Sequence, residues 1–255
     1  MPRRKHEKTQ KGNPHALPIR QHVFPSASIA RFADKSGVVS LHRLFTGQVL
    51  KAKPSNPIFC AMRAWDVRAA EVGYMKQIED EFQELASRII RRKIIKIEVA
   101  DKPKVDAFFA LWKMRAIFRS KEVADVQFNG ITGENLTKDQ EEKFEKIGIV
   151  SLREGGVMSA HRVHGIQIQA GVMQQTSALS NIRWGIVRAH DGQFVVPDSP
   201  AITFIPLEPT LCLCGTAENV IESGTMLRNN VIELNCHLRA KSKEYYFAND
   251  LRECF

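Results

Sequence analysis

Hydrophobic periodicity changes twice along this chain, and the change restricts the folds that the chain can form. Residues 37–54, GVVSLHRLFTGQVLKAKP, contain two extended apolar runs that predict a β-hairpin, because Gly47 between them can take a positive φ. From about residue 66 to residue 180 the apolar side chains recur at the period of a helix, and after residue 183 extended runs return. Segregated strands and helices predict an α+β fold, with both β regions in one mixed or antiparallel sheet around a central helical block.

Four helices are predicted in the central block. The first begins with Asp66 as N-cap and ends in the basic segment SRIIRRKIIKI. Its apolar stripe consists of Tyr74, Ile78, Phe82, Leu85 and Ile89. The second helix has Pro103 in its first turn, where proline is tolerated. The third runs from Thr137 to Ile147 with the capping-box spacing of Thr137 and Gln140, and the fourth runs roughly from Val157 to Ser180.

The C-terminal part is predicted to form strands and one further helix. A hairpin is expected in residues 183–196, RWGIVRAHDGQFVV, with its turn at His190, Asp191 and Gly192. The segments AITFIPL and TLCLCGT predict two more strands, and EYYFAND predicts a short aromatic strand near the end. Between them, the spacing of apolar residues from Met226 to Leu238 predicts an amphipathic helix.

The charge balance favours an anionic partner. The chain has 255 residues, 44% of them hydrophobic, and a formal net charge of +9. That excess of positive charge favours nucleic acid first and an acidic membrane surface second, while a basic surface that only keeps the protein soluble is the alternative. Residues 1–18 are basic and nearly free of large apolar groups, so we expect a disordered or loosely docked arm, followed by a single α+β domain over residues 19–255.

Cysteine usage and the lack of long apolar stretches indicate a compartment. Five scattered cysteines do not form the regular pattern of a secreted disulfide framework. The basic N-terminus is not followed by the apolar stretch of a signal peptide, and no segment approaches the roughly 18 apolar residues of a membrane span. We therefore expect a reduced, cytoplasmic protein.

Common catalytic motifs are absent from the sequence. There is no phosphate-binding loop, dinucleotide-binding fingerprint, serine nucleophile elbow or His-Glu-x-x-His motif, which argues against nucleotide-dependent motors, ordinary kinases and serine hydrolases. His161 and His164 share a predicted helix face, and Cys212 and Cys214 share a strand face, but this single weak pair of thiols is more typical of small core residues than of a zinc site. We predict no resident metal from this set.

Four polar residues stand at positions that could serve a site. Glu79 lies at the edge of an apolar helical stripe, where a carboxylate extends into water or meets a buried cation, in catalysis or in a structural ion pair. His22 precedes the first predicted strands and could act as an acid, a base or a phosphate-binding donor. Asp198 lies in a Pro-Asp-Ser-Pro turn, as a turn former or a site carboxylate, and Asn235 should be buried and hydrogen-bonded.

Short segments in a fixed order resemble one bacterial family. The segments QHVFPSASIARFAD, IEDEFQEL, RWGIVRAHDGQFVVPDSP and LNCHLRAKSKEYYFA together resemble the family catalogued as domain of unknown function 4238, over about His22 to Phe247. The resemblance implies that His22, Arg31, Glu79, Asp198 and Asn235 are the residues to examine, and that Asp198 neighbours Glu79 and Asn235. Where Ser and Asn are common in the family, Pro197 and Ser199 flank the aspartate. The resemblance also implies a toxic or defensive bacterial effector.

Two nucleic-acid hypotheses follow. In the first, the chain is an RNase-like or DNase-like phosphodiesterase: His22 is the acid or base, and Glu79 and Asp198 hold a divalent Mg²⁺ or Mn²⁺ ion or orient a water. Gln21, Ser199 and Asn235 support them, and Arg20 and Arg31 stabilise phosphate charge. In the second hypothesis the chain is a non-catalytic subunit that binds nucleic acid through its arm and through Arg91, Arg92 and Lys93, possible partners being those of a defence or toxin–antitoxin assembly. A protein-interaction module is the third alternative. Arg91, Arg92 and Lys93 also need no ligand to explain them, because cations at a helix C-terminus suit the helix dipole.

Overall fold

The computed structural model describes residues 6–67, 73–121, 124–217 and 223–255. Within these ranges the fold is α+β, as predicted. Two short strands at residues 126–127 and 157–158 pair within the predicted helical block, so the fourth helix begins at Ala160 rather than near Val157. The α-helices are α1 (Ser26–Ala30), α2 (Tyr74–Ile90), α3 (Lys102–Ser120), α4 (Lys138–Ile147), α5 (Ala160–Ala178) and α6 (Arg228–Lys241). The strands are β1 (Arg20–His22), β2 (Val39–Arg43), β3 (Val49–Ala52), β4 (Cys60–Met62), β5 (Val126–Gln127), β6 (Val157–Met158), β7 (Arg183–Ala189), β8 (Val196–Pro197), β9 (Phe204–Glu208), β10 (Leu211–Thr216), β11 (Ser223–Met226) and β12 (Tyr245–Ala248).

One sheet joins the two ends of the chain, as the sequence predicts. Its strand order is β3-β2-β12-β8, and β12 pairs antiparallel with β2 in a register that sets Phe247 opposite Leu41. Strands β2 and β3 form the predicted hairpin, and Gly47 in its turn has a φ of 67°. Both Phe247 and Leu41 are buried, because alternate residues of these strands face the apolar core.

The other C-terminal strands form a second sheet, in the order β11-β7-β10-β9. The prediction of a hairpin over residues 183–196 is wrong, since β7 pairs with β10 and β11 while β8 pairs with β12. The turn at Gly192 exists, with a φ of 84°, but the chain beyond it bonds elsewhere: the amide of Phe194 donates to the carbonyl of Pro209. Met226, which was predicted in the last helix, ends β11 instead.

Helices α2, α3 and α5 supply most of the helical packing. Four of the five predicted stripe residues of α2 are buried, whereas Tyr74 is 37% exposed and Met75 beside it is buried instead. Phe82 of this stripe stacks on Phe108 of α3 with ring centroids 3.6 Å apart. Helix α5 continues through Gly165 and Gly171. Gly171 lies where α3 packs closely, since a Cβ there would lie 2.2 Å from a side-chain atom of Met114. Residues 68–72, at the predicted start of the first helix, lie outside the described residues. No helix in the described part of the chain is long and apolar enough to span a bilayer.

Helix α4 begins and ends as the sequence predicts. Thr137 and Gln140 form a reciprocal capping box, and Gly148 closes the helix in the left-handed conformation with a φ of 79°. Residues 6–17, from the predicted arm, make polar contacts with this helix. Gln10 donates its backbone amide to Glu142 at 2.8 Å, and His15 Nε2 donates to Asp139 at 2.8 Å. Leu17 is buried and anchors the downstream end of the segment. Residues 1–5 lie outside the described residues.

Candidate functional site

The C-terminal end of α2 carries a cluster of exposed cations, which we call the basic helix end. It consists of Arg88, Arg91, Arg92 and Lys93, all exposed. None of the four forms an ion pair with any residue that the structure describes. Unpaired guanidinium and ammonium groups keep all their donors for a partner, and arginine in particular binds phosphate oxygens with two parallel hydrogen bonds.

The way in which α2 ends explains why these cations are presented together. The amide of Lys93 donates to the carbonyl of Arg88 at 2.9 Å, and the amide of Arg92 donates to the carbonyl of Ile89 at 3.0 Å. These are the two hydrogen bonds of a Schellman motif, which requires a left-handed residue at the position of Arg92. Arg92 takes that conformation with a φ of 56°. Glycine is usual there, and a side chain in this region costs roughly 1 kcal/mol.

The surroundings of the basic helix end are open and contain both charged and apolar side chains. Lys96 pairs with Glu98 at 3.3 Å, and Ile95 and Val99 are exposed. The apolar stripe of α2 faces the core, so this helix has no free apolar face of the kind that inserts into a membrane interface. The unpaired cations of the basic helix end therefore suit a partner that offers negative charge.

Two of the predicted catalytic residues contact the same arginine. Glu79 forms an ion pair with Arg115 of α3, whose side chain is only 5% exposed. Arg115 also donates to the backbone carbonyl of His22 at 3.4 Å and lies over the ring of Trp65. The ring of His22 donates from Nε2 to the carbonyl of Pro54 at 3.0 Å. The Glu79 carboxylate thus neutralises a buried cation, and the His22 imidazole is tied to the backbone.

Asp198 is buried and bonded to the backbone between α6 and β12. Its Oδ1 accepts from the amide of Lys243 at 2.9 Å and its Oδ2 from the amide of Glu244 at 2.6 Å. The amide of Asp198 itself donates to the carbonyl of Tyr245 at 3.2 Å. Both carboxylate oxygens therefore connect the turn to the chain that leaves α6. Ser199 beside it is half-buried.

The supporting amides are also engaged with the backbone. Asn235 accepts from the amide of Val195 at 3.0 Å and donates to the carbonyls of Gln193 and Cys254 at 2.7 and 2.9 Å. It fastens α6 to the segment that precedes the Asp198 turn and to the C-terminal residues. Gln21 donates to the carbonyl of Trp65 at 2.7 Å and accepts from the amide of Ala64 at 2.8 Å. Side-chain amides used in this way satisfy buried backbone N–H and C=O groups that need hydrogen-bond partners.

The remaining predicted residues lie apart from one another. Arg20 is exposed on β1, whereas Arg31 is half-buried and donates to Gln83 at 2.5 Å. Burial lowers the pKa of Arg31 against the opposing effect of Glu208. His164 bonds to the carbonyl of Ala64 at 2.7 Å rather than sharing a site with the thiols of β10. In the described ranges there is no group of three or more His, Cys, Asp or Glu side chains arranged to hold a metal ion.

A second charged cluster, which the sequence does not reveal, surrounds His161 of α5. The ring is 5% exposed and lies between two carboxylates: Nδ1 is 3.0 Å from Glu7 and Nε2 is 3.1 Å from Glu145. Arg63 donates to the same oxygen of Glu145 at 2.5 Å. Burial acts to lower the pKa of His161, but the hydrogen bonds of Glu145 and Glu7 outweigh it and raise the pKa above its usual value.

Glu7 enters this cluster from the N-terminal segment. Besides His161, its carboxylate contacts Lys138 of α4 and Arg153. Burial acts to raise the pKa of Glu7, but the hydrogen bonds of His161 and Lys138 prevail and hold the pKa well below its usual range. Arg153 also binds Glu141 with two hydrogen bonds, at 2.5 and 2.9 Å. The cluster is therefore a network of alternating charges, with Glu7 at its outer edge.

The sequence offers only partial signals for this cluster. Glu141 and Glu145 are one helical turn apart, and this spacing places them on one face of α4. Glu7, Arg63 and Arg153 come from distant parts of the chain, and only the fold brings them to His161. A glutamate in a basic terminal segment gives no sign of its buried partner.

Comparison of this chain with family models, with curated proteins and with solved structures gives no match. The resemblance to the family of unknown function thus stays a prediction.

Proposed function

We propose that this protein binds nucleic acid through the basic helix end and acts there as a binding or assembly subunit rather than as a phosphodiesterase. One observation carries the proposal: four exposed cations without ion-pair partners in the described residues occupy six positions at the end of α2. The formal net charge of +9 supports attraction of the same partner over longer distances.

Phosphate contacts give this proposal a measurable consequence. Each cation that neutralises a DNA phosphate releases condensed counterions, so the binding constant falls as salt rises. If all four cations of the basic helix end contact phosphates of duplex DNA, they contribute about −3.6 to the slope of log K against log salt. This follows from roughly −0.9 for each phosphate contact. Such contacts position a nucleic acid without reading its sequence, so we expect weak preference among base sequences.

The contacts of the predicted catalytic residues favour binding over catalysis. Glu79 neutralises Arg115, the His22 ring donates to a backbone carbonyl, and both oxygens of Asp198 accept backbone amides. A general base or a metal ligand needs a lone pair directed at the substrate or the ion. Both oxygens of Asp198 and one oxygen of Glu79 are directed at protein groups instead. Cleavage is therefore the outcome that would favour the phosphodiesterase hypothesis.

The resemblance to domain of unknown function 4238 implies a toxic or defensive bacterial effector. In such a system this chain would bring nucleic acid to a protein partner. The five cysteines are all free thiols, which suits a reducing, cytoplasmic compartment.

The test compares two variants that remove the same charge from different surfaces. In the first, Arg88→Gln, Arg91→Gln, Arg92→Gln and Lys93→Gln are combined. The matched control combines the substitutions Lys35→Gln, Arg43→Gln, Lys53→Gln and Arg183→Gln at exposed positions. Affinity is measured by fluorescence anisotropy on labelled single-stranded and duplex DNA and RNA, and on vesicles with anionic headgroups. Cleavage of the labelled nucleic acids is followed with and without Mg²⁺ or Mn²⁺.

We expect the first variant to lose at least tenfold in affinity at low salt, and the control to lose much less. Equal losses in the two variants would show that only net charge matters. Absence of binding by the unaltered protein, or binding to vesicles alone, would overturn the proposal. Cleavage that Glu79→Gln abolishes would replace it with the phosphodiesterase hypothesis.

A further inference from the structure

The cluster around His161 has the composition of an anion site. Its cleft, which we call the His161 pocket, is lined by the cations Arg63, Lys138, Arg153, His161 and Arg162 and by four glutamates: Glu7, Glu141, Glu142 and Glu145. With His161 protonated, removal of Glu7 leaves five cations facing three carboxylates. The excess of positive charge therefore favours an anion at the position of Glu7.

Arg63 gives an independent indication that the pocket accepts a ligand. Its side chain is 1% exposed, yet Nε and Nη1 have no hydrogen-bond partner in the described parts of the chain. Buried guanidinium donors are normally satisfied, and an unmatched one costs free energy. The backbone of Arg63 also takes the left-handed conformation, with a φ of 41°. Arg63 thus lines the pocket with two buried donors that no described residue satisfies.

The segment that carries Glu7 is held through polar contacts. The Glu7 side chain is 23% exposed, and its segment contacts α4 through the backbone amide of Gln10 and the side chain of His15. The first buried apolar anchor after Glu7 in the segment is Leu17. Withdrawal of residues 6–16 would break these polar contacts and leave the buried anchor Leu17 in place.

We propose that the His161 pocket is a carboxylate-binding site that Glu7 occupies as an internal ligand, and that a carboxylate from outside the chain binds there when Glu7 withdraws. The two Glu7 oxygens face different donors: Oε1 accepts from Lys138 and Arg153, and Oε2 faces His161. This arrangement fits a planar group with two oxygens and one negative charge. A phosphate dianion would meet the nearby carboxylates of Glu141, Glu142 and Glu145, and like charges at such distances repel.

Chemical rescue of a Glu7→Ala variant tests this proposal in the full-length chain. The variant opens the carboxylate position, and formate and acetate are small enough to enter it. Thermal unfolding is measured with increasing formate, acetate, phosphate or chloride at constant ionic strength. The matched control is Asp139→Ala. It removes the contacts that His15 and Gln10 of the same segment make with α4 outside the pocket.

We expect Glu7→Ala to melt at a lower temperature than the unaltered protein, and formate to restore most of that loss in a saturable way. Phosphate and chloride should restore little, and Asp139→Ala should not respond. The double variant Glu7→Ala with Lys138→Gln should bind formate at least tenfold more weakly. NMR of the His161 imidazole should show a formate-dependent shift in Glu7→Ala alone.

Three results would overturn the proposal. The first is a Glu7→Ala protein whose melting temperature and His161 resonances do not respond to formate. The second is an equal response to phosphate, which would indicate a general anion effect. The third is an equal response of Asp139→Ala, which would place the effect outside the pocket. None of these results depends on nucleic-acid binding, so the basic helix end is judged separately.

Discussion

The basic helix end and the His161 pocket use the same residue types in opposite ways. At the end of α2, four cations are exposed and without ion-pair partners in the described residues. In the pocket, Arg63 and His161 are buried and contact carboxylates from other parts of the chain. Exposed cations contribute little to stability and remain available to a partner, whereas buried ones are strongly coupled to the fold. Charge alone therefore does not indicate function, and its environment decides what it can do.

The largest effect is expected from breaking a buried pair. Glu145→Ala leaves Arg63 and His161 without their shared carboxylate, and we expect a loss of about 3–5 kcal/mol in the free energy of unfolding. Urea denaturation measures this loss. The control Glu81→Ala removes an exposed carboxylate of α2 and should change stability by less than about 0.5 kcal/mol. Similar losses in both variants would contradict the contrast between buried and exposed charge.

A smaller loss is expected at the turn that contains Asp198. Asp198→Ala leaves the amides of Lys243 and Glu244 without their acceptor, which should lower the free energy of unfolding by about 2 kcal/mol. Nucleic-acid affinity should stay unchanged under conditions in which the variant is folded. A variant of full stability that loses activity on nucleic acid would instead assign the carboxylate to a site.

At the exposed cluster, stability and binding should change in opposite directions. Arg92→Gly removes a side chain from a left-handed residue, so we expect the protein to gain roughly 1 kcal/mol in stability. The same change removes one phosphate contact and should weaken binding. Arg91→Gly is the control, because its backbone is not left-handed, and it should not stabilise the protein. A loss of stability in Arg92→Gly would contradict this account of the helix end.

The pH dependence of stability distinguishes the pocket in a further way. The pKa of His161 is raised in the folded state, so its contribution is fully present below its ordinary value of 6.5 and is lost as pH rises through the folded pKa. The pKa of Glu7 is lowered, so its contribution is present above about 4.5 and is lost as pH falls toward the folded value. The groups that face His161 are Glu7, Glu145 and Arg63. Glu7→Gln removes one of the contacts that raise the pKa of His161. The free energy of unfolding, measured by urea denaturation, should therefore fall less in this variant as pH rises through the folded pKa of His161.

Local patterns predict much of this fold, and long-range contacts account for what they miss. The capping box of Thr137 and the buried stripe around Phe82 follow from spacing alone, because both depend on neighbours within a few residues. The hairpin at residues 183–196 fails because the amide of Val195 bonds to Asn235, forty residues away, and β7 finds its partners in β10 and β11. A turn sequence fixes the turn and not the pairing of the chain that follows it.

The candidate sites follow the same division. Arg91, Arg92 and Lys93 are adjacent, so a cationic surface can be recognised from the sequence. The fold is needed to show that Arg92 is left-handed and that Arg88 joins the cluster. The His161 pocket assembles Glu7, Arg63 and Glu145 from segments far apart, and no local pattern connects them. The residues predicted for catalysis, His22, Glu79 and Asp198, each have a partner within the protein that local sequence does not show.

The salt dependence of duplex DNA binding tests the central claim most directly. The slope of log K against log salt is measured for the unaltered protein, for the variant without the four cations of the basic helix end and for the control without Lys35, Arg43, Lys53 and Arg183 charges. The slope is negative, and each lost phosphate contact should reduce its magnitude by roughly 0.9. We therefore predict that the magnitude falls by about 3–4 in the first variant and by less than about 1 in the control. An unchanged slope in the first variant, or equal decreases in both, would contradict the proposal that this helix end binds the phosphate backbone.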